Sequence, residues 1–96
     1  MSEMGAMLDQ LYDVVIERRD RPRDGSYTNY LLERGVDKIC KKIGEESTEV
    51  VIAAKNGSNS ELVYEIADLF YHLCVLMVDQ GVTFDEIEKE LRSRRS

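Results

Sequence analysis

The sequence predicts an all-α protein, an antiparallel bundle of four to five helices, and three observations carry the prediction. Apolar residues recur at three-and-four spacing along most of the chain; Pro22 is the only proline; and glycines with Ser and Thr caps cut the chain into segments of helical length. Each element can be justified in order.

A first helix is predicted from Glu3 to about Arg19, with Leu8, Leu11, Tyr12 and Val15 on one apolar face, closed by the Pro22 and Gly25 loop. A short helix follows over Tyr27 to Arg34, capped by Ser26 and stopped by Gly35. The third runs from Val36 to about Lys55, where Asn56-Gly57 ends it, and Val36, Ile39, Cys40, Ile43, Val50 and Ala54 share one face at about 100° per residue. Gly44 inside it disfavours helix by about 1 kcal/mol, which suggests close helix packing or close approach of substrate at that point, packing being the first expectation.

Ser58 and Glu61 have capping-box spacing and open a fourth helix, Ser60 to Gln80, ended by Gly81. It is apolar around most of its circumference, from Leu62 and Val63 through Ile66, Leu69, Phe70 and Leu73 to Val78. Such a helix needs burial on two sides, more than one 96-residue protomer supplies, so a homodimer or higher homo-oligomer is expected to complete the bundle. A last helix begins at the Thr83 and Glu86 capping box and continues through Ile87 and Leu91 into a tail where Arg92, Arg94 and Arg95 suit the helix dipole.

Residues 1–96 fit one domain with one core. The chain carries 19 acidic against 13 basic residues, a net charge of −6, which argues against nucleic-acid binding. The N-terminus lacks the pattern of a secretory signal and no segment has the uninterrupted apolar length of a bilayer span, so a cytoplasmic protein without membrane contact is expected. Cys40 and Cys74 are read as reduced core cysteines, too few for a disulfide framework or a thiolate metal site.

The chemistry lies in the acidic residues. Glu45 and Glu49 are one turn apart on the third helix with Glu46 beside them, and Glu65 and Asp68 lie on the narrow polar stripe of the fourth. Glu49 and Glu65 are each eight positions from Gly57, and Glu46 and Asp68 each eleven, so an antiparallel hairpin sets two facing pairs one turn apart. Carboxylates about 5 Å apart at an effective dielectric of about 20 repel by roughly 3 kcal/mol, which a bound cation would offset. Oxygen ligands without thiolates select magnesium, with manganese possible, and magnesium shares its coordination with substrate phosphates, making a nucleotide polyphosphate the natural substrate. The bland alternative is a solvated glutamate face paired with Lys38, Lys41 and Lys42.

Ser26-Tyr27-Thr28 through Leu31-Leu32, then Lys41-Lys42-Ile43-Gly44-Glu45-Glu46 with Glu49, and Glu65 to Asp68 with Tyr71-His72-Leu73, resemble phosphoribosyl-ATP pyrophosphohydrolases of histidine biosynthesis. The acidic pattern alone marks the wider all-α nucleotide pyrophosphohydrolase group that includes MazG and the dimeric dUTPases. The resemblance implies hydrolysis of 1-(5-phosphoribosyl)-ATP to 1-(5-phosphoribosyl)-AMP and pyrophosphate, in a free-standing enzyme without a fused cyclohydrolase domain.

On that reading Glu46, Glu49, Glu65 and Asp68 hold the metal, and Glu45 orients the attacking water or takes its proton. Lys42 and Lys38 reach a phosphate, while Tyr27 and His72 touch the nucleotide. Arg19, with Arg18, Arg21 and Arg23, either offers positive charge to the phosphoribosyl phosphate or is simply part of a solvated arginine cluster. His72 has the alternative of a purely structural histidine, and Tyr30 and Tyr64 that of ordinary helix packing. The rival functions are a house-cleaning pyrophosphohydrolase of noncanonical or deoxynucleoside triphosphates, a di-iron bundle, disfavoured because no Glu-x-x-His pair is present, and a non-enzymatic helical interaction module.

Overall fold

The computed structural model describes residues 3–95 and contains five α-helices over them: α1 (Met4–Asp20), α2 (Tyr27–Arg34), α3 (Val36–Asn56), α4 (Asn59–Gln80) and α5 (Phe84–Ser93). The predicted boundaries hold to within a residue or two because the punctuation works as anticipated. The Ser26 side chain accepts from the Asn29 amide and the Ser58 side chain from the Glu61 amide. At Thr83 both halves of the capping box form, whereas at Ser58 only the serine half does. Gly57 and Gly81 close α3 and α4 in the left-handed conformation, each with φ of 73°, where a side chain would be strained.

The core is small. Val15 of α1, Leu31 of α2, Ile39 of α3, and Val75 and Val78 of α4 form its centre, with Tyr12, Ile16, Leu32, Ile43, Tyr71 and Leu76 packed around it. Helices α3 and α4 make the main antiparallel hairpin, and α1 and α2 lie across it. The Tyr12 hydroxyl donates to the Val82 carbonyl at 2.8 Å and its ring packs on Phe84, tying the start of α5 to α1.

Several core assignments change. Cys74 is buried and its thiol is pushed up to about 11 by desolvation, but Cys40 is exposed. Val36 and Ala54 are exposed as well, because α3 turns Ile39, Glu46 and Ala53 inward. A Cβ built on Gly44 meets nothing within 4 Å, so packing inside the protomer does not explain that glycine. Phe70 and Leu73 stay exposed on α4, and α5 buries no residue. The radius of gyration, 14.5 Å, exceeds the roughly 12.5 Å of a compact domain of this length.

Candidate active site

The α3–α4 hairpin brings four of the five predicted carboxylates together in two tiers. In the inner tier, Glu46 and Asp68 converge from the two helices, and with His72 they offer ligand atoms that all lie within 4.8 Å of one another. In the outer tier, Glu49 and Glu65 line one cleft of about 240 Å³ together with Ser60, Glu61 and Tyr64. The symmetric spacing about Gly57 therefore has its expected geometric result. Glu45 is exposed and makes no side-chain hydrogen bond or ion pair among the described residues, so it stands apart from both tiers.

The inner tier is electrostatically uncomfortable. Glu46 is only 8% exposed, and burial, followed by the neighbouring Asp68 carboxyl, pushes its pKa up to about 7. Lys42, one turn back on α3, reaches its Oε1 at 3.9 Å and opposes the shift. A buried carboxyl beside a half-buried one, with one lysine at the limit of ion-pair distance, is a site with unmet demand for positive charge.

His72 is buried, and both of its ring nitrogens are engaged. Its Nδ1 lies 2.8 Å from the Asp68 backbone carbonyl, which can only accept, so Nδ1 carries the proton. Its Nε2 lies 3.0 Å from the Tyr27 hydroxyl, a second hydrogen bond. The histidine thus joins the carboxylate helix to α2 and has no free nitrogen. Although Tyr27 is exposed as a whole, desolvation of its hydroxyl end raises its pKa, partly countered by Lys42.

The remaining candidates are spread more widely. Tyr27 itself is exposed on α2, its ring near those of Tyr30 and Tyr71, each 6.2 Å away between centroids. Lys38 lies over the Tyr30 ring at 5.8 Å. Arg19 sits exposed at the end of α1 and donates to Asp20 at 3.0 Å. Two anchors escaped the sequence reading. Buried Asn29 bonds both the Arg18 carbonyl and the Arg23 amide, holding the loop before α2, and Thr28 hydrogen-bonds the Tyr71 hydroxyl. Their only sequence signal was membership of the Ser26 to Thr28 segment and its helix.

The family model described as phosphoribosyl-ATP pyrophosphohydrolase matches residues 8–95. The chain belongs to the phosphoribosyl-ATP pyrophosphohydrolase family. Among curated relatives, a phosphoribosyl-ATP pyrophosphatase of Clostridium botulinum strain Hall is 55% identical over 89 residues, spanning 93% of this chain and 81% of that protein. One from Limosilactobacillus fermentum is 56% identical over 87 residues, 91% of this chain and 82% of the relative. A histidine biosynthesis bifunctional protein HisIE of Thermoanaerobacter pseudethanolicus is 53% identical over 89 residues, covering 93% of this chain and 41% of that longer protein. The match of this pyrophosphohydrolase family member takes in both carboxylate tiers, α2 and His72. Among the described residues, no helix is long and apolar enough to cross a membrane.

Proposed function

We propose that this chain hydrolyses the bond between the α and β phosphates of 1-(5-phosphoribosyl)-ATP, releasing pyrophosphate and 1-(5-phosphoribosyl)-AMP, as a magnesium-dependent step of histidine biosynthesis in the cytoplasm. The observation that carries this reading is the family match across residues 8–95, a span that includes Glu46, Glu49, Glu65 and Asp68, together with relatives named phosphoribosyl-ATP pyrophosphatase.

The residues present fit a hard divalent cation. Glu46 and Asp68 crowd negative charge at a nearly buried position, Glu49 and Glu65 add carboxylates next to it, and both His72 nitrogens are already hydrogen-bonded, which leaves the carboxylates as the readier ligands. An all-oxygen donor set selects magnesium, or manganese, over softer ions. When bound, such an ion supplies charge neutralisation for the leaving pyrophosphate and acidifies a water.

The chain's own residues do the rest. Glu46, Glu49, Glu65 and Asp68 are the ligand set, and His72 keeps Asp68 in place through its backbone carbonyl. Lys42, already directed at Glu46, is close enough to the acidic floor to meet a phosphate oxygen once the carboxylate is engaged elsewhere. Glu45, exposed and unpaired, is free to accept the proton of the attacking water.

The apolar groove between α1, α4 and α5, about 1050 Å³ and lined by Leu8, Phe70, Leu73, Met77, Phe84 and Leu91, is covered by a second copy of the chain. Its exposed Phe70, Leu73 and Leu91, with the extended radius of gyration, support that assembly. Sedimentation should give a dimer or higher homo-oligomer; a monomer at micromolar concentration refutes it.

The deciding experiment incubates the protein with phosphoribosyl-ATP and magnesium and follows pyrophosphate against a panel of canonical, deoxy and noncanonical nucleoside triphosphates. Selective turnover of phosphoribosyl-ATP is expected. Preference for a triphosphate from the panel would make it a house-cleaning enzyme, and no turnover together with no magnesium-induced rise in melting temperature would leave an interaction module.

A further inference from the structure

The acidic site accounts for the triphosphate end of a nucleotide and leaves a second charged feature unused. Tyr27, Tyr30 and Arg34 share one face of α2 at the i, i+3, i+7 spacing, while Leu31, fully buried, anchors the helix to the core. Two cations converge on the Tyr30 ring: Arg34 at 5.5 Å, also donating to its hydroxyl at 3.3 Å, and Lys38 from α3 at 5.8 Å. Neither forms an ion pair with a carboxylate among the described residues, in a chain of net charge −6. Two cations placed at one aromatic ring and not neutralised by a carboxylate offer a receptor for a multiply charged anion.

This pair is connected to the acidic site by a continuous path. Asp68 lies 3.5 Å from His72, His72 is 3.0 Å from the Tyr27 hydroxyl, and the Tyr27 and Tyr30 rings stand 6.2 Å apart at an interplanar angle of 22°. Both rings are open, Tyr27 at 44% and Tyr30 at 39%, so a flat heterocycle can lie along them between the two charged ends.

We propose that Arg34 and Lys38, organised by Tyr30, form a second anion subsite that takes a phosphate monoester, the ribose 5-phosphate end that distinguishes phosphoribosyl-ATP from ATP. The assignment rests on the proposed function for the identity of the substrate but not for the chemistry of the subsite. It makes α2 the specificity element, and it moves the second phosphate away from the arginine cluster around Arg19, whose guanidinium is engaged by Asp20.

The test uses Arg34→Gln, Lys38→Gln and the double variant, all at positions outside the core. Losing two charge-assisted contacts should raise KM for phosphoribosyl-ATP by about 100-fold, with kcat changed less than about threefold and Mn2+ binding, read by water relaxation, unchanged. Arg34→Lys should recover part of the loss. Ribose 5-phosphate should shift the Tyr30 and Lys38 amide resonances of the wild-type protein, and not those of the double variant. An unchanged KM, or a fall in kcat with KM constant, overturns the subsite. If wild-type protein fails to cleave phosphoribosyl-ATP, the proposed function falls by itself. The subsite is then judged on the ribose 5-phosphate titration, where no binding, or equal binding to the double variant, overturns it.

Discussion

The two carboxylate tiers of the α3–α4 hairpin are built from the same chemistry at the same distance rule, yet they occupy different environments. Glu46 is buried beside Lys42 and a half-buried Asp68 that the His72–Tyr27 link ties to α2, while Glu49 and Glu65, one turn nearer Gly57, line an open cleft. In the inner tier the Glu46 pKa is pushed up to about 7, and burial is its first cause. The difference teaches that facing geometry alone makes an acidic patch, and that exclusion of water by a third helix turns one part of it into a poised site.

The comparison can be broken most severely at its centre. Glu46→Ala and Asp68→Ala should each lower kcat by about 10³-fold or more, as loss of a metal ligand would. Circular dichroism should remain helical, and the metal-free melting temperature should hold or rise because a like-charge pair is gone. Glu49→Ala should also remove turnover but leave the metal-free melting temperature where it was. A fully active variant at Asp68 or Glu49 would sink the ligand assignment.

Glu45→Gln tests the carboxylate that belongs to neither tier. A fall in kcat of about 10²-fold, with the magnesium-induced rise in melting temperature intact, is expected of a proton acceptor. If that magnesium effect disappears instead, Glu45 is a ligand and the two-tier description is incomplete.

His72→Leu strips the inner tier of its wall, leaving the Tyr27 hydroxyl and the Asp68 carbonyl without their partner. The loss should be about 1–3 kcal/mol in urea unfolding, and Tyr27→Phe should lose less, about 1 kcal/mol. Equal stability of wild type and His72→Leu would show that the link holds nothing.

The smallest effect is that of pH on metal-free protein. Glu46 titrates near 4.5 when unfolded and near 7 when folded, so the folded state binds the extra proton between those values. Its stabilising contribution is complete below about pH 4.5 and is lost as pH rises to about 7, on the order of 1–3 kcal/mol. Urea midpoints at pH 5 and 7.5 would show the decline, and Glu46→Gln should abolish it. Magnesium should oppose the decline, since it binds the ionised form.

Much of this was legible in the residues. The helix ends followed from Ser26, Gly35, Gly57, Ser58, Gly81 and Thr83, because caps and left-handed glycines act through neighbours a few positions away. The facing of Glu46 with Asp68 followed from counting outward from Gly57, since helical rise is the same on both sides of a hairpin. Misreadings arose where a stripe had to be assigned a partner. Cys40 and Val36 lie on an apolar sector of α3 that no helix covers in the protomer, and Gly44 faces open space.

The sequence by itself determined an all-helical chain, its five segments and the pairing of its carboxylates, all consequences of short-range backbone geometry. Tertiary structure alone decided that Glu46 is the buried carboxylate, that His72 spends both nitrogens on Asp68 and Tyr27, and that Arg34 and Lys38 both lie against the Tyr30 ring. Those facts depend on where α2 crosses the α3–α4 hairpin, and a helix crossing is set by packing among residues distant in the chain, which periodicity along one helix does not encode.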